Sequence, residues 1–168
     1  MTPVVLLLCV GLAAMTQAGV VSSTEGQQPG VVGVRKLATS NDCVSVVAFA
    51  GTGAQVPTEN TKPLTFRSSL LDKGVGWSKD TGEFTCHCPG LYQFSFASGA
   101  KVSLKKQTSG TEAWDNVVST GMQGGSNMVL LDMEVGDKAA LWAQDGGKIK
   151  DDEQETTLSF CGYRIAKK

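Results

Sequence analysis

The chain has 168 residues, enough for one domain that buries roughly two thirds of its unfolded surface. It is 41% hydrophobic and 18% charged, with 15 Lys and Arg against 16 Asp and Glu and a net charge of −1. That balance lacks the basic face of a nucleic-acid protein, and the 20 glycines follow no Gly-X-Y period, so no collagen stalk is encoded.

Residues 1–18 hold no charged side chain, and Val4 to Ala14 form an apolar run ahead of Thr16-Gln17-Ala18. The run is too short to span a bilayer and reads as a cleaved signal peptide, which implies secretion. No later segment is long and apolar enough to cross a membrane. Residues 19–42 are rich in Gly, Ser, Thr and Gln without periodicity, and read as a flexible leader before a domain at 43–168. Val44 to Ala50 reads as a buried first strand, followed by Gly51-Thr-Gly53. A dinucleotide-binding turn is excluded there, because Val56 replaces the third glycine and Pro57 would break the following helix. No ten-residue stretch carries a helical stripe.

Phe84, Cys86 and Cys88 alternate with Thr85 and His87. After Pro89-Gly90, which reads as a turn, Tyr92, Phe94 and Phe96 alternate with Gln93 and Ser95. Period two over this length predicts two half-buried strands, each with one face committed to a core. Short strands then recur at 102–106, 127–134, 138–144 and 157–165, the rhythm of an antiparallel sandwich. The loop Asp145 to Glu155 is polar and acid-rich and reads as solvated.

The positions Phe66, Asp72, Trp77, Phe84, Gly90, Tyr92, Phe94 and Phe96 carry a resemblance. Their spacing is similar to that of the globular head of complement component C1q, a domain shared with many secreted relatives. Lys101-Val-Ser-Leu-Lys105, the stretch Ser126 to Leu131 with Glu134-Val-Gly-Asp137, and Phe160-Cys-Gly-Tyr163 extend it, so that it covers residues 44–165. The resemblance implies an all-β, ten-strand antiparallel jelly-roll sandwich assembling as a homotrimer. It also implies an extracellular recognition module, lectin-like or binding microbial patterns in innate immunity. A cytokine-like or adhesive ligand for a cell-surface receptor, or a structural matrix component, stands as the alternative.

Five cysteines are present, and Cys9 lies in the expected signal peptide. The even number left, Cys43, Cys86, Cys88 and Cys161, favours disulfides in a secreted chain. Cys86 and Cys88 share one strand face about 6.5 Å apart with parallel side chains, which opposes a bridge between them. If two bridges form, each joins one of this pair to Cys43 or Cys161. The resemblance favours Cys161 with Cys86 or Cys88, leaving the other for Cys43; the alternative is a buried free thiol at one position, since Cys serves readily as a small hydrophobe. Alternation turns His87 away from both sulfurs, which excludes a zinc site, and no nucleophile elbow accompanies this only histidine. No enzyme site is legible.

Several relatives bind calcium through acids in the loop before the Ser126 strand. Here Asp115 is the acid offered as a calcium ligand, with Gln123 where those relatives place a second one, against the six to eight oxygens that calcium prefers. No other cofactor is implied. Trp77 and Trp114 read as loop aromatics, either packing plugs or contact residues, and with Asp115 they are the binding candidates.

Overall fold

The computed structural model describes residues 42–59, 61–144 and 158–168. The expected signal peptide at 1–18, the leader up to residue 41 and the loop at 145–155 lie outside them.

Ten strands are present among the described residues: β1 (Ala48–Gln55), β2 (Thr65–Lys73), β3 (Trp77–Ser78), β4 (Glu83–Thr85), β5 (Gly90–Ser98), β6 (Val102–Gln107), β7 (Trp114–Ser119), β8 (Gly125–Met133), β9 (Lys138–Ala143) and β10 (Ser159–Lys167). They form two five-stranded sheets, which we call A and B. Sheet A runs β2-β1-β10-β5-β8 and sheet B runs β3-β4-β9-β6-β7. All pairings are antiparallel. This is the ten-strand jelly-roll sandwich that the sequence leads one to expect.

β5 shows why these residues make this fold. Its burial alternates strictly along its length, with Tyr92, Phe94 and Phe96 facing the core and Leu91, Gln93, Ser95 and Ala97 facing out. Phe49, Phe84 and Phe160 meet them between the sheets. Phe49 and Phe84 stack with centroids 5.3 Å apart, and Phe84 and Phe94 meet edge to face at 5.7 Å. Such pairs add about 0.5–1.5 kcal/mol each to the burial of their area. Two strand glycines make room for this packing. A Cβ on Gly162 would fall 2.6 Å from the Phe49 ring and 2.7 Å from that of Phe94, and one on Gly51 would fall 2.8 Å from Trp77. Glycine inside a strand marks such an approach.

The later strands lie within two residues of their expected bounds, the closing one at Ser159–Lys167 against 157–165, and three earlier boundaries differ from the sequence reading in ways that matter for the site. The first strand is not 44–50 but β1, because the ladder to β10 begins only at Ala48 and Val44 and Val46 are exposed. The β4 ladder ends at Thr85. The inward and outward alternation of residues 86–88 continues, however, because Cys86 exchanges backbone hydrogen bonds with the β8–β9 turn, donating to Asp137 and accepting from Gly136. Gly90 opens β5 rather than sitting in the turn.

That β8–β9 turn joins the sheets. The Asp137 carboxylate is 2% exposed and accepts backbone N–H groups from Ser109 at 2.9 Å and Glu134 at 3.0 Å. Lys106 of β6 completes it at 2.8 Å. Burial pushes this carboxyl up, but the Lys106 ammonium and the two N–H donors outweigh it and hold it below the usual carboxylate range.

Candidate functional site

The cysteines settle into one bridge and two thiols. Cys43 is joined to Cys88, while Cys86 and Cys161 are free. The expected bridge from Cys161 to Cys86 or Cys88 is not formed, for two reasons of position. β10 lies between β1 and β5 in sheet A, whereas Cys86 follows β4 of sheet B. Cys161 alternates with the inward Phe160, so its sulfur faces outward, 3.0 Å from the Ser95 hydroxyl. The Cys86 thiol points inward and is pushed up to about 11, chiefly by burial. Beside it the Tyr92 hydroxyl, also raised by burial, donates to the Cys88 carbonyl at 2.6 Å. A thiol so rarely ionised is a packing group and not a nucleophile.

Trp77 opens β3 and is not in a loop. Its ring stacks on Phe49 at 4.3 Å and meets Phe160 edge-on at 5.8 Å, while Nε1 donates to the Ser69 hydroxyl at 3.0 Å. Because Ser69 belongs to β2, Trp77 closes the side of the sandwich where the edges of the two sheets meet. Of the two readings open for it, the structure shows the plug. Its remaining edge lines a cleft of about 350 Å³ shared with Asp72, Gly76, Glu83, Thr85 and His87. Glu83 is engaged there by Lys138 at 3.0 Å.

Trp114 also starts a strand, β7, at the free edge of sheet B. Its ring meets that of Trp142 at 4.5 Å and 62°. The sequence reading did not single out Trp142, yet its signal was available. In Ala139-Ala-Leu-Trp142, inward Ala139 and Leu141 alternate with Ala140 and Trp142, so the largest side chain of β9 lies on the outer face. There it is buried all the same, with Lys105 Nζ 5.0 Å from its ring centre. Asp115 is exposed on β7. Among the described residues no three His, Cys, Asp or Glu side chains gather where they would hold a metal. Asp115 and Gln123 are separated by most of the length of β7, so this donor set does not fit calcium.

The outer face of sheet A is of another kind. Across its five strands one row reads Leu71, Ala50, Cys161, Ser95 and Met128, and the next reads Lys73, Ala48, Tyr163, Gln93 and Leu130. Met128, Leu130, Tyr163 and Ile165 are 64%, 53%, 44% and 47% exposed. Within these two rows the only charged group is Lys73, on the edge strand.

A family model described as the C1q domain matches residues 48–165. The hibernation-associated plasma protein HP-25 of Tamias sibiricus is 27% identical over 126 residues, covering 70% of this chain and 57% of that protein. The chain thus spans little more than half the length of that curated relative. The solved globular domain of zebrafish complement 1qA is 25% identical, covers 74% of this chain and 100% of its own, and superposes with a TM-score of 0.53. The Eiger TNF structure from S. frugiperda covers 73% of this chain and 94% of its own at a TM-score of 0.51. At 11% identity that likeness concerns the fold alone.

Proposed function

The chain belongs to the C1q-domain family, and from that premise we propose that it is a secreted, homotrimeric recognition module that binds glycans on microbial or cell surfaces. The observation that carries the assembly is the outer face of sheet A. Monomeric proteins rarely leave a contiguous apolar patch of this kind in water. Small side chains at the centre of its first row, Ala50, Cys161 and Ser95, let another copy approach closely. Three copies around a closed axis bury that face without leaving an open end. The plasma protein HP-25 and the complement 1qA domain, as relatives, support an extracellular setting. Secretion rests further on the apolar run at Val4 to Ala14, outside the described residues.

Among the described residues, the two groups with the chemistry for catalysis are not arranged for it. The buried thiol is un-ionised, and His87 lies in a cleft with no nucleophile among its lining residues beyond ordinary hydroxyls. Sedimentation equilibrium of the protein at micromolar concentration should give three times the chain mass, and a monomer overturns the assembly. A glycan array then tests the ligand class. Binding to a cell-surface protein with no glycan bound would replace glycan recognition with the reading as a receptor ligand.

A further inference from the structure

If one face of the sandwich is taken up by assembly, recognition falls to what remains exposed, and the inference below rests on that reading. On the outer face of sheet B, Trp114 is half-buried and its neighbour Trp142 is 5% exposed. Their positions in the ladders are far apart. Trp114 stands opposite Gln107, and Trp142 opposite Ser103, four residues away along β6. The rings nevertheless meet edge to face at 4.5 Å, so each leans along the sheet towards the other. In the row between them Ala140 is fully buried and Lys105 stands opposite both Ala140 and Asn116. The small Ala140 in the row between them and a second indole against the first fix the orientation of Trp114 before any ligand arrives. Such preorganisation lowers the ordering cost of binding.

The surroundings select the ligand. Glu112 and Asn116 are exposed, Gln107 donates its amide to the Glu112 carbonyl at 3.0 Å, and Asp115, opposite Lys106, lies on the other face of β7. A purely apolar ligand would cover the ring and leave these polar groups to be desolvated without partners. A cationic ligand would meet the Lys105 ammonium, already 5.0 Å from the Trp142 ring centre. An anionic ligand would meet the Glu112 carboxylate, which has the parity of Trp114 along the chain. A neutral sugar ring meets none of these penalties, because it presents C–H groups to the indole and hydroxyls to carboxylate and amide. We propose that the Trp114–Trp142 pair on the outer face of sheet B is a subsite for one neutral pyranose ring of a glycan.

The test uses the full-length protein labelled with ¹⁵N and a panel of neutral methyl hexosides and N-acetylhexosaminides, with choline and a sialoside as charged comparisons. The neutral panel should shift the indole N–H resonance of Trp114 and leave that of Trp77 in place. Trp114→Ala should weaken neutral binding roughly ten-fold, the scale of one stacked ring, and Trp114→Phe by less. Should Trp114→Ala lose its cooperative melt, the Phe variant and the wild-type resonances decide alone. Neutral glycans bound with the Trp114 resonance unmoved and both variants at wild-type affinity would overturn the subsite while leaving glycan recognition standing. No neutral binding anywhere overturns both. Preference for choline or the sialoside at Trp114 overturns the charge argument and with it the proposal.

Discussion

The two outward faces of this sandwich sit back to back on one aromatic core and differ in how each treats apolar surface. Sheet B carries the largest side chain of β9, Trp142, on the outside but keeps it 5% exposed among Trp114, Lys105 and the strands beneath. Sheet A leaves Met128, Leu130, Tyr163 and Ile165 uncovered and sets small residues between them. The first face covers its largest apolar side chain within the chain, and the second leaves several exposed. Apolar area left in water over several adjacent strands forgoes about 25 cal/mol per Å², so a protein retains such a face where another surface covers it.

The comparison rests first on the shared core. Phe94→Ala should cost about 3–5 kcal/mol and destroy both faces together, as a urea melt followed by far-ultraviolet dichroism would show. Cys43→Ser should cost about 2–4 kcal/mol by opening the 45-residue separation that the bridge spans, with both faces intact below the melting temperature. A loss of no more than a few tenths would mean that the bridge is absent in solution.

The junction between the faces comes next. The Asp137 carboxyl is held below its unfolded value, so its contribution is complete above about pH 4 and is lost as the pH falls further. Asp137→Asn should cost about 1–3 kcal/mol at neutral pH and flatten the acid limb of a melting-temperature profile, whereas an unchanged limb would assign it to other carboxylates.

The finest cut separates the faces themselves. Leu130→Asp should change protomer stability by less than about 1 kcal/mol, since Leu130 is 53% exposed, yet abolish assembly by placing a charge in each contact. Trp114→Ala should leave the sedimenting mass unchanged. If the two variants exchange these outcomes, the assignment of the faces is reversed.

What the sequence made legible follows the strength of its periodicity. The run Phe84 to Phe96 predicts its inward set residue by residue, because deep burial of one face leaves little freedom of register. β2 is an edge strand exposed from Arg67 to Lys73, with Leu70 left out of the ladder where the register shifts, so no alternation marks it. β3 has two residues, too few for any pattern. Of the disulfide expectation, the bridge from Cys43 to one of the pair is present as Cys43–Cys88, and the one from Cys161 is absent on a point that alternation does answer. Phe160 and Gly162 face the core, so Cys161 between them faces away from Cys86 and Cys88. The partners of the two tryptophans were harder to see, since Trp114 and Trp142 are brought together by leaning side chains rather than by ladder register.

The place of β10 has a consequence for the order in which the molecule is built. The last strand in the chain lies third in sheet A, between β1 and β5. A nascent polypeptide leaving the ribosome therefore carries two separate ribbons, β2–β1 and β5–β8, each with an open edge. The sheet closes only when Ser159–Lys167 emerges and zips into the gap between them. Until then two unpaired edges stand exposed in the same molecule, the condition that invites association with other chains and calls for chaperones. Translation halted before Leu158 should accordingly yield aggregates rather than a shortened domain.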